Sequence, residues 1–191
     1  MTPVFGVTGW KNSGKTTLVT RLIAEFVGRG LRVNSVKHAH HAFDIDVPGT
    51  DSFRHREAGA TEVALVSGTR WALMHELRED DEPRLEEILA RMGTADLLLI
   101  EGYKRERHPK IECRRQAGRK AEPLSADDPT IVAIAADFPV ESGGLPVFHL
   151  DDVAGIAEFI ASHLGLVPAG APKGVAPALN DTAPDTSGRG G

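Results

Sequence analysis

Residues 9–16 read Gly-Trp-Lys-Asn-Ser-Gly-Lys-Thr, a full match to the pattern G-x-x-x-x-G-K-S/T. Each fixed position has a physical task. Gly9 and Gly14 allow tight backbone turns, so that successive N–H groups point inward at an anion. Lys15 brings a mobile ammonium to the β- and γ-phosphates, and the Thr16 hydroxyl is a ligand for the Mg²⁺ that accompanies a nucleoside triphosphate. A helix that begins here adds the positive end of its dipole. We therefore assign nucleotide contact to Gly9, Lys11, Asn12, Ser13, Gly14, Lys15, Thr16 and Thr17.

The flanking sequence supplies the context that the motif requires. Residues 3–8 form a short apolar run of strand character. Leu18, Val19, Leu22, Ile23, Phe26 and Val27 then recur at helical spacing on one face, and Gly28 and Gly30 end the helix.

The same alternation continues along the chain. Strands are expected at 31–36, 97–100, 110–115, 131–136 and 147–150. Helices are expected at 51–58 and 83–92, with a last one capped by Asp151 and reaching Leu164. Segments 61–66 and 70–77 flank Ser67-Gly68-Thr69 and read as a hairpin. The Leu97–Ile100 run is continuously apolar, as in a strand buried on both faces. The fold class is thus α/β, a mainly parallel sheet covered by helices. Ligands in such sheets bind beyond the carboxyl ends of the strands. That rule places the glycine loop, Lys37-His38, Glu101-Gly102 and Asp137 along one rim.

The chain has 191 residues, enough for one domain with a real core. Its net charge of −5 argues against a general nucleic-acid binder. The single cysteine, Cys113, excludes an internal disulfide and fits a reducing compartment. With no membrane-length apolar run and a strand starting within a few residues of the N-terminus, a cytoplasmic protein is expected. We expect one nucleotide-binding domain over 1–165. Residues 166–191 are rich in Pro, Gly and Ala and are expected to be disordered.

Several rim residues carry further chemistry. Glu101 ends the apolar run 97–100, where an acid holds Mg²⁺ or orients the attacking water. Residues 38–46 pack three histidines and two aspartates into nine positions. They suit either a loop near the triphosphate, with Asp46 on Mg²⁺, or a transition-metal site. Arg54 is placed to reach a phosphate or to sit as a surface charge. Lys104, Arg105, Arg107 and Lys110 form a basic stretch beside Glu101, suited to an anionic substrate or partner.

Taken together, these elements resemble the molybdopterin-guanine dinucleotide biosynthesis protein B (MobB) family. The resemblance rests on residues 9–18, on Lys37-His38 through Asp44-Ile45-Asp46, and on Gly49-Thr50-Asp51-Ser52 with Arg54. It extends to Ala58-Gly59-Ala60, Glu101-Gly102-Tyr103-Lys104 and Pro109-Lys110-Ile111-Glu112. It implies the P-loop NTPase fold, GTP and Mg²⁺ as ligands, weak GTPase activity and a homodimer. It also implies an accessory role beside the molybdenum cofactor guanylyltransferase, which joins GMP to molybdopterin. The Asn-Lys-x-Asp element that reads guanine in many GTPases is absent, so Asp137, at the end of the strand 131–136, is the candidate reader. Two other classes remain open: a small-molecule kinase using ATP, with residues 105–119 as a lid, and a nucleotide-dependent metal-delivery protein using the histidines near His38.

Overall fold

The computed structural model of the protein describes residues 2–39, 43–118 and 122–166. β1 (Val4–Thr8) runs into the glycine loop, and α1 (Lys15–Gly28) follows it directly. β1 lies inside a six-stranded sheet with β2 (Val33–Lys37), β5 (Leu97–Glu101), β6 (Lys110–Arg114), β7 (Ile131–Ala136) and β8 (Val147–His149). The strand order is β2-β5-β1-β6-β7-β8, and every pairing is parallel.

Parallel strands buried on both faces need apolar side chains in both alternating sets. Phe5, Val7, Leu97 and Leu99 supply one set. They pack with Leu18, Leu22 and Phe26 of α1 and with Ile156 and Ile160 of α4 (Val153–Leu164). Leu98 and Ile100 supply the other, against Leu85 and Leu89 of α3 (Leu85–Arg91). Burying each such large side chain contributes roughly 1.5–3 kcal/mol before entropy is counted. The register aligns the functional ends: Val7 lies opposite Glu101, Lys37 opposite Glu101, and Thr8 opposite Glu112.

A second unit stands apart from this sheet. α2 (Asp51–Glu57) leads into β3 (Glu62–Val66) and β4 (Trp71–His75), an antiparallel hairpin. Ser67 closes its turn, with its Oγ accepting from Arg70 N at 3.1 Å. The expected strand 70–77 stops at His75 because the chain turns at Arg78, whose φ is 51°.

Two expectations need correction. The last helix is capped by Asp152, whose Oδ1 accepts from Gly155 N at 3.0 Å. Asp151 is instead drawn away by Arg21, which donates to its Oδ1 at 2.6 Å. Lys110 does not belong to an exposed basic stretch. As the first residue of β6 it is wholly buried, and its Nζ donates to Glu106 O, Thr130 Oγ1 and Asp128 Oδ2. An unpaired buried ammonium would be prohibitively costly, so these partners are required. The proposed tail beyond Leu166, and His40 and His41, lie outside the described residues.

Candidate nucleotide-binding site

The glycine loop takes backbone conformations that few residues tolerate. Gly9 has φ 141°, and a Cβ there would lie 2.5 Å from both Cys113 O and Ser13 Oγ. Gly14 has φ 94° and caps α1 without a side chain. Between them Asn12 sits at φ 63°, a region Asn tolerates better than most residues. The result is a hollow of about 410 Å³ at the start of α1, walled by Asn12, Ser13, Gly14, Lys15, Thr16, Thr17 and Arg115. Six of the eight loop residues assigned from sequence thus line one cavity.

Lys15 folds back over the loop, and its Nζ donates to Trp10 O at 2.7 Å. Burial lowers its pKa from the ordinary lysine value, against the raising effect of Glu101. Thr16 Oγ1 donates to Glu101 Oε1 at 2.6 Å. Lys37 Nζ lies 3.3 Å from both of those oxygens. Glu101 is only 7% exposed, so its carboxylate is held by this cluster rather than by bulk water. A hydroxyl and a carboxylate oxygen side by side make the hard, oxygen-based donor set that Mg²⁺ prefers.

Beside the hollow lies a second cavity of about 450 Å³. Trp10, Phe138, Pro139 and Val140 give it apolar walls, and its charged lining is mixed: Arg114 is paired with Glu112, Glu141 also lines it, and Lys11 and Arg115 add positive charge. Ser13 lines both cavities, and its buried Oγ has no hydrogen-bond partner among the described residues. A buried orphan hydroxyl between a cationic loop and an apolar pocket fits a ligand that is anionic at one end and flat at the other.

Asp137 follows β7 on the same rim. Its Oδ1 accepts from Gln116 N at 2.6 Å, which ties it to the turn after β6. Asp46 is placed differently. Its Oδ1 accepts from Val47 N, Thr50 Oγ1 and Ser52 Oγ at 2.8–3.1 Å, and its Oδ2 lies 3.4 Å from Arg56 Nε. Burial opposes its ionisation, yet bonds from Ser52, Val47 and Thr50 hold its carboxyl below the usual range. The structure therefore brings Thr16 and Glu101 together, while the bonds of Asp46 run to the start of α2.

Arg56, which no motif marks, joins Asp44 and Glu76 at 2.9 Å each and lies 3.4 Å from Asp46, linking the 43–47 loop to the hairpin. Arg54 points instead to solvent, 3.8 Å from Asp51. His38 pairs with Glu82 at 2.8 Å and packs on Tyr103. Among the described residues no three His, Cys, Asp or Glu side chains converge on a metal position. Lys104 Nζ sits 4.0 Å above the Trp10 ring. Cys113, under the loop, is buried, and burial pushes its thiol pKa up to about 12. Glu112, named only within the family resemblance, and Arg115, only within the candidate lid 105–119, had no role of their own assigned from sequence. Both belong to the charged end of a buried strand next to the loop, the one signal that marks them.

Comparisons with known proteins identify the family. The sequence profile described as "Molybdopterin guanine dinucleotide synthesis protein B" (MobB) matches residues 4–137. The Escherichia coli molybdopterin-guanine dinucleotide biosynthesis adapter protein is 39% identical over 163 residues, covering 84% of this chain and 92% of its own. The adapter protein of the same name from Haemophilus influenzae is 38% identical over 165 residues, with coverage of 85% and 89%. The crystal structure of Bacillus subtilis MobB superposes with a TM-score of 0.67 at 30% identity, over 85% of this chain and 98% of that one. The MobB homologue from Bacillus stearothermophilus gives 0.63 at 31% identity, over 85% and 97%. By profile, sequence and fold, the chain belongs to the MobB family.

Proposed function

We propose that the protein is a GTP-binding adapter that assists the attachment of GMP to molybdopterin. The observation that carries this reading is the Thr16–Glu101 pair at the mouth of a complete phosphate loop. The backbone N–H groups of the loop and the start of α1 receive the phosphates, and Lys15 leaves Trp10 O to neutralise them. Thr16 and Glu101 would hold Mg²⁺, which supplies charge neutralisation at the terminal phosphates. Glu101 also stands where a carboxylate orients a water, which suits a weak GTPase activity. Asp46 Oδ1 is committed to Val47, Thr50 and Ser52, so Asp46 could take part only through Oδ2, which has no hydrogen bond among the described residues and lies 3.4 Å from Arg56 Nε.

Base choice falls to the rim beyond β7. Asp137 uses one carboxylate oxygen on Gln116 and keeps the other for the guanine N1–H and N2–H donors. The adjacent cavity, with its Phe138 and Pro139 wall, suits a flat ring. Exposed Arg105 and Arg107, with Lys104 held on Trp10, form the face offered to the guanylyltransferase or to the phosphate of molybdopterin.

A homodimer is also part of this reading. One face of the hairpin packs inward through Val63 and Met74, but the other exposes Val66, Trp71 and Leu73 at 79%, 70% and 47%. A two-stranded hairpin is marginal by itself, and a second copy covers such a face at low cost. No described helix is long and apolar enough to cross a membrane. A cytoplasmic setting accords with the reduced, buried Cys113.

Calorimetric titration with GTP and ATP, with and without Mg²⁺, tests the proposal. Mg²⁺-dependent preference for GTP supports it. Equal affinity, or phosphoryl transfer from ATP to a small molecule, would favour the kinase class instead.

A further inference from the structure

Arg114 and Arg115 leave the end of β6 with different fates, as strand alternation requires. Arg114 is spent on structure. Its Nη2 donates to Glu112 Oε2 at 2.8 Å and to Ser125 Oγ at 2.7 Å, and its Nη1 to Glu141 O at 3.3 Å. Arg115 is exposed and has no hydrogen bond or ion pair among the described residues. Asp151, whose carboxyl Arg21 chiefly and Arg115 lastly hold below the usual range, is already bonded to Arg21.

The position of Arg115 is well defined by its neighbours. A Cβ placed on Gly14 would lie 3.1 Å from Arg115 Nε and 3.6 Å from its Cζ. Every other wall residue of the phosphate hollow comes from the stretch 12–17. Arg115 also lines the adjoining cavity with Trp10 and Phe138. The backbone just after it is pinned where Gln116 N donates to Asp137 Oδ1.

Sheet order decides which phosphate this guanidinium meets. Glu101 and Lys37 stand on β5 and β2, to one side of β1, whereas Arg115 follows β6 on the other. Thr16 and Glu101 would hold a Mg²⁺ that neutralises the terminal phosphates, which would set those phosphates on the Glu101 side. The phosphate chain then leads past Gly14 towards Arg115 and the apolar cavity.

We propose that Arg115 is a phosphate clamp, whose planar fork closes on the phosphate nearest the nucleoside and so recognises nucleoside diphosphates and triphosphates alike. The inference rests on the reading that the glycine loop holds a nucleotide. A guanidinium donates two parallel bonds to a phosphate, which Lys cannot reproduce. Asp137, the proposed guanine reader, also anchors through Gln116 the turn that carries Arg115.

The test is the affinity of the full chain for GDP and for GTP with Mg²⁺, in wild type, Arg115→Ala and Arg115→Lys, together with single-turnover hydrolysis at saturating GTP. Arg115→Ala is expected to weaken both nucleotides equally, by roughly tenfold to a hundredfold, with Arg115→Lys in between. Hydrolysis at saturation reads the terminal phosphate separately, and it should fall by less than the affinity does. Unchanged GDP affinity in Arg115→Ala would overturn the clamp. Loss confined to GTP, or to hydrolysis at saturation, would also overturn it and move the guanidinium to the terminal phosphate. A wild-type chain that binds neither nucleotide would overturn the clamp and the nucleotide reading together.

Discussion

Thr16 Oγ1 and Glu101 Oε1 meet at 2.6 Å, joining the first turn of α1 to the end of β5 across 85 residues of chain. The contact links two parts of the proposed nucleotide site that sequence alone can only place on the same rim. A hydroxyl donated to a carboxylate also stiffens the site before any ligand arrives.

Replacing Glu101 by Gln keeps the size and removes the charge. The hydroxyl of Thr16 keeps an acceptor, so nucleotide affinity should fall by less than about tenfold. Hydrolysis should fall further if, as proposed, Glu101 orients the water and helps hold Mg²⁺, because the amide lacks the charge for either task. Phosphate release measured beside equilibrium binding separates the two. Equal losses would make Glu101 a structural acid.

Lys15→Ala should leave the fold intact, since the Lys15 bond to Trp10 O is exposed. Nucleotide affinity should drop by about 1.5–3 kcal/mol or more, the worth of a charged hydrogen bond. Circular dichroism and titration on the same sample read both outcomes. Wild-type GTP affinity in this folded variant would remove the loop from the assignment.

Trp71→Glu places a charge on the exposed apolar face of the hairpin. Sedimentation should then show monomers, where the wild type is expected to show dimers. Nucleotide affinity per protomer should change little, because the hairpin lies outside the main sheet. A dimer that survives the substitution would put the interface elsewhere.

His108 gives the fold a pH dependence. Burial, with the charge of Lys110 second, lowers its pKa from 6.5 to about 4. Between those values the unfolded chain binds the proton and the folded chain does not. Stability contributed by neutral His108 is therefore complete above pH 6.5 and lost as pH falls towards 4. Thermal midpoints at pH 7 and pH 5 should differ less in His108→Gln than in wild type. An identical difference in both would exclude His108 as the source.

Much of the fold was legible because its signals are local. The loop at 9–16, the apolar run before Glu101 and the periodicity of α1 each name an element and its boundary within a residue or two. The hairpin was legible from Ser67-Gly68-Thr69. What stayed hidden depends on long-range pairing. Lys110 reads as one more cation in a basic run, and only the folded chain brings Asp128 and Thr130 to it. Asp151 and Asp152 are equivalent as caps until Arg21 claims the first. Arg56 carries no motif, although it links the 43–47 loop to the hairpin. Arg115 likewise needs the sheet order to bring β6 beside the loop.

If the protein serves another enzyme's use of GTP, dinucleotide yield reports it directly. Molybdopterin, Mg²⁺ and limiting GTP should give no guanine dinucleotide with this protein alone. They should give more with the guanylyltransferase when wild-type protein is added, and no increase when Lys15→Ala is added instead. Dinucleotide formed by the protein alone, or a yield indifferent to its presence, would contradict the adapter function.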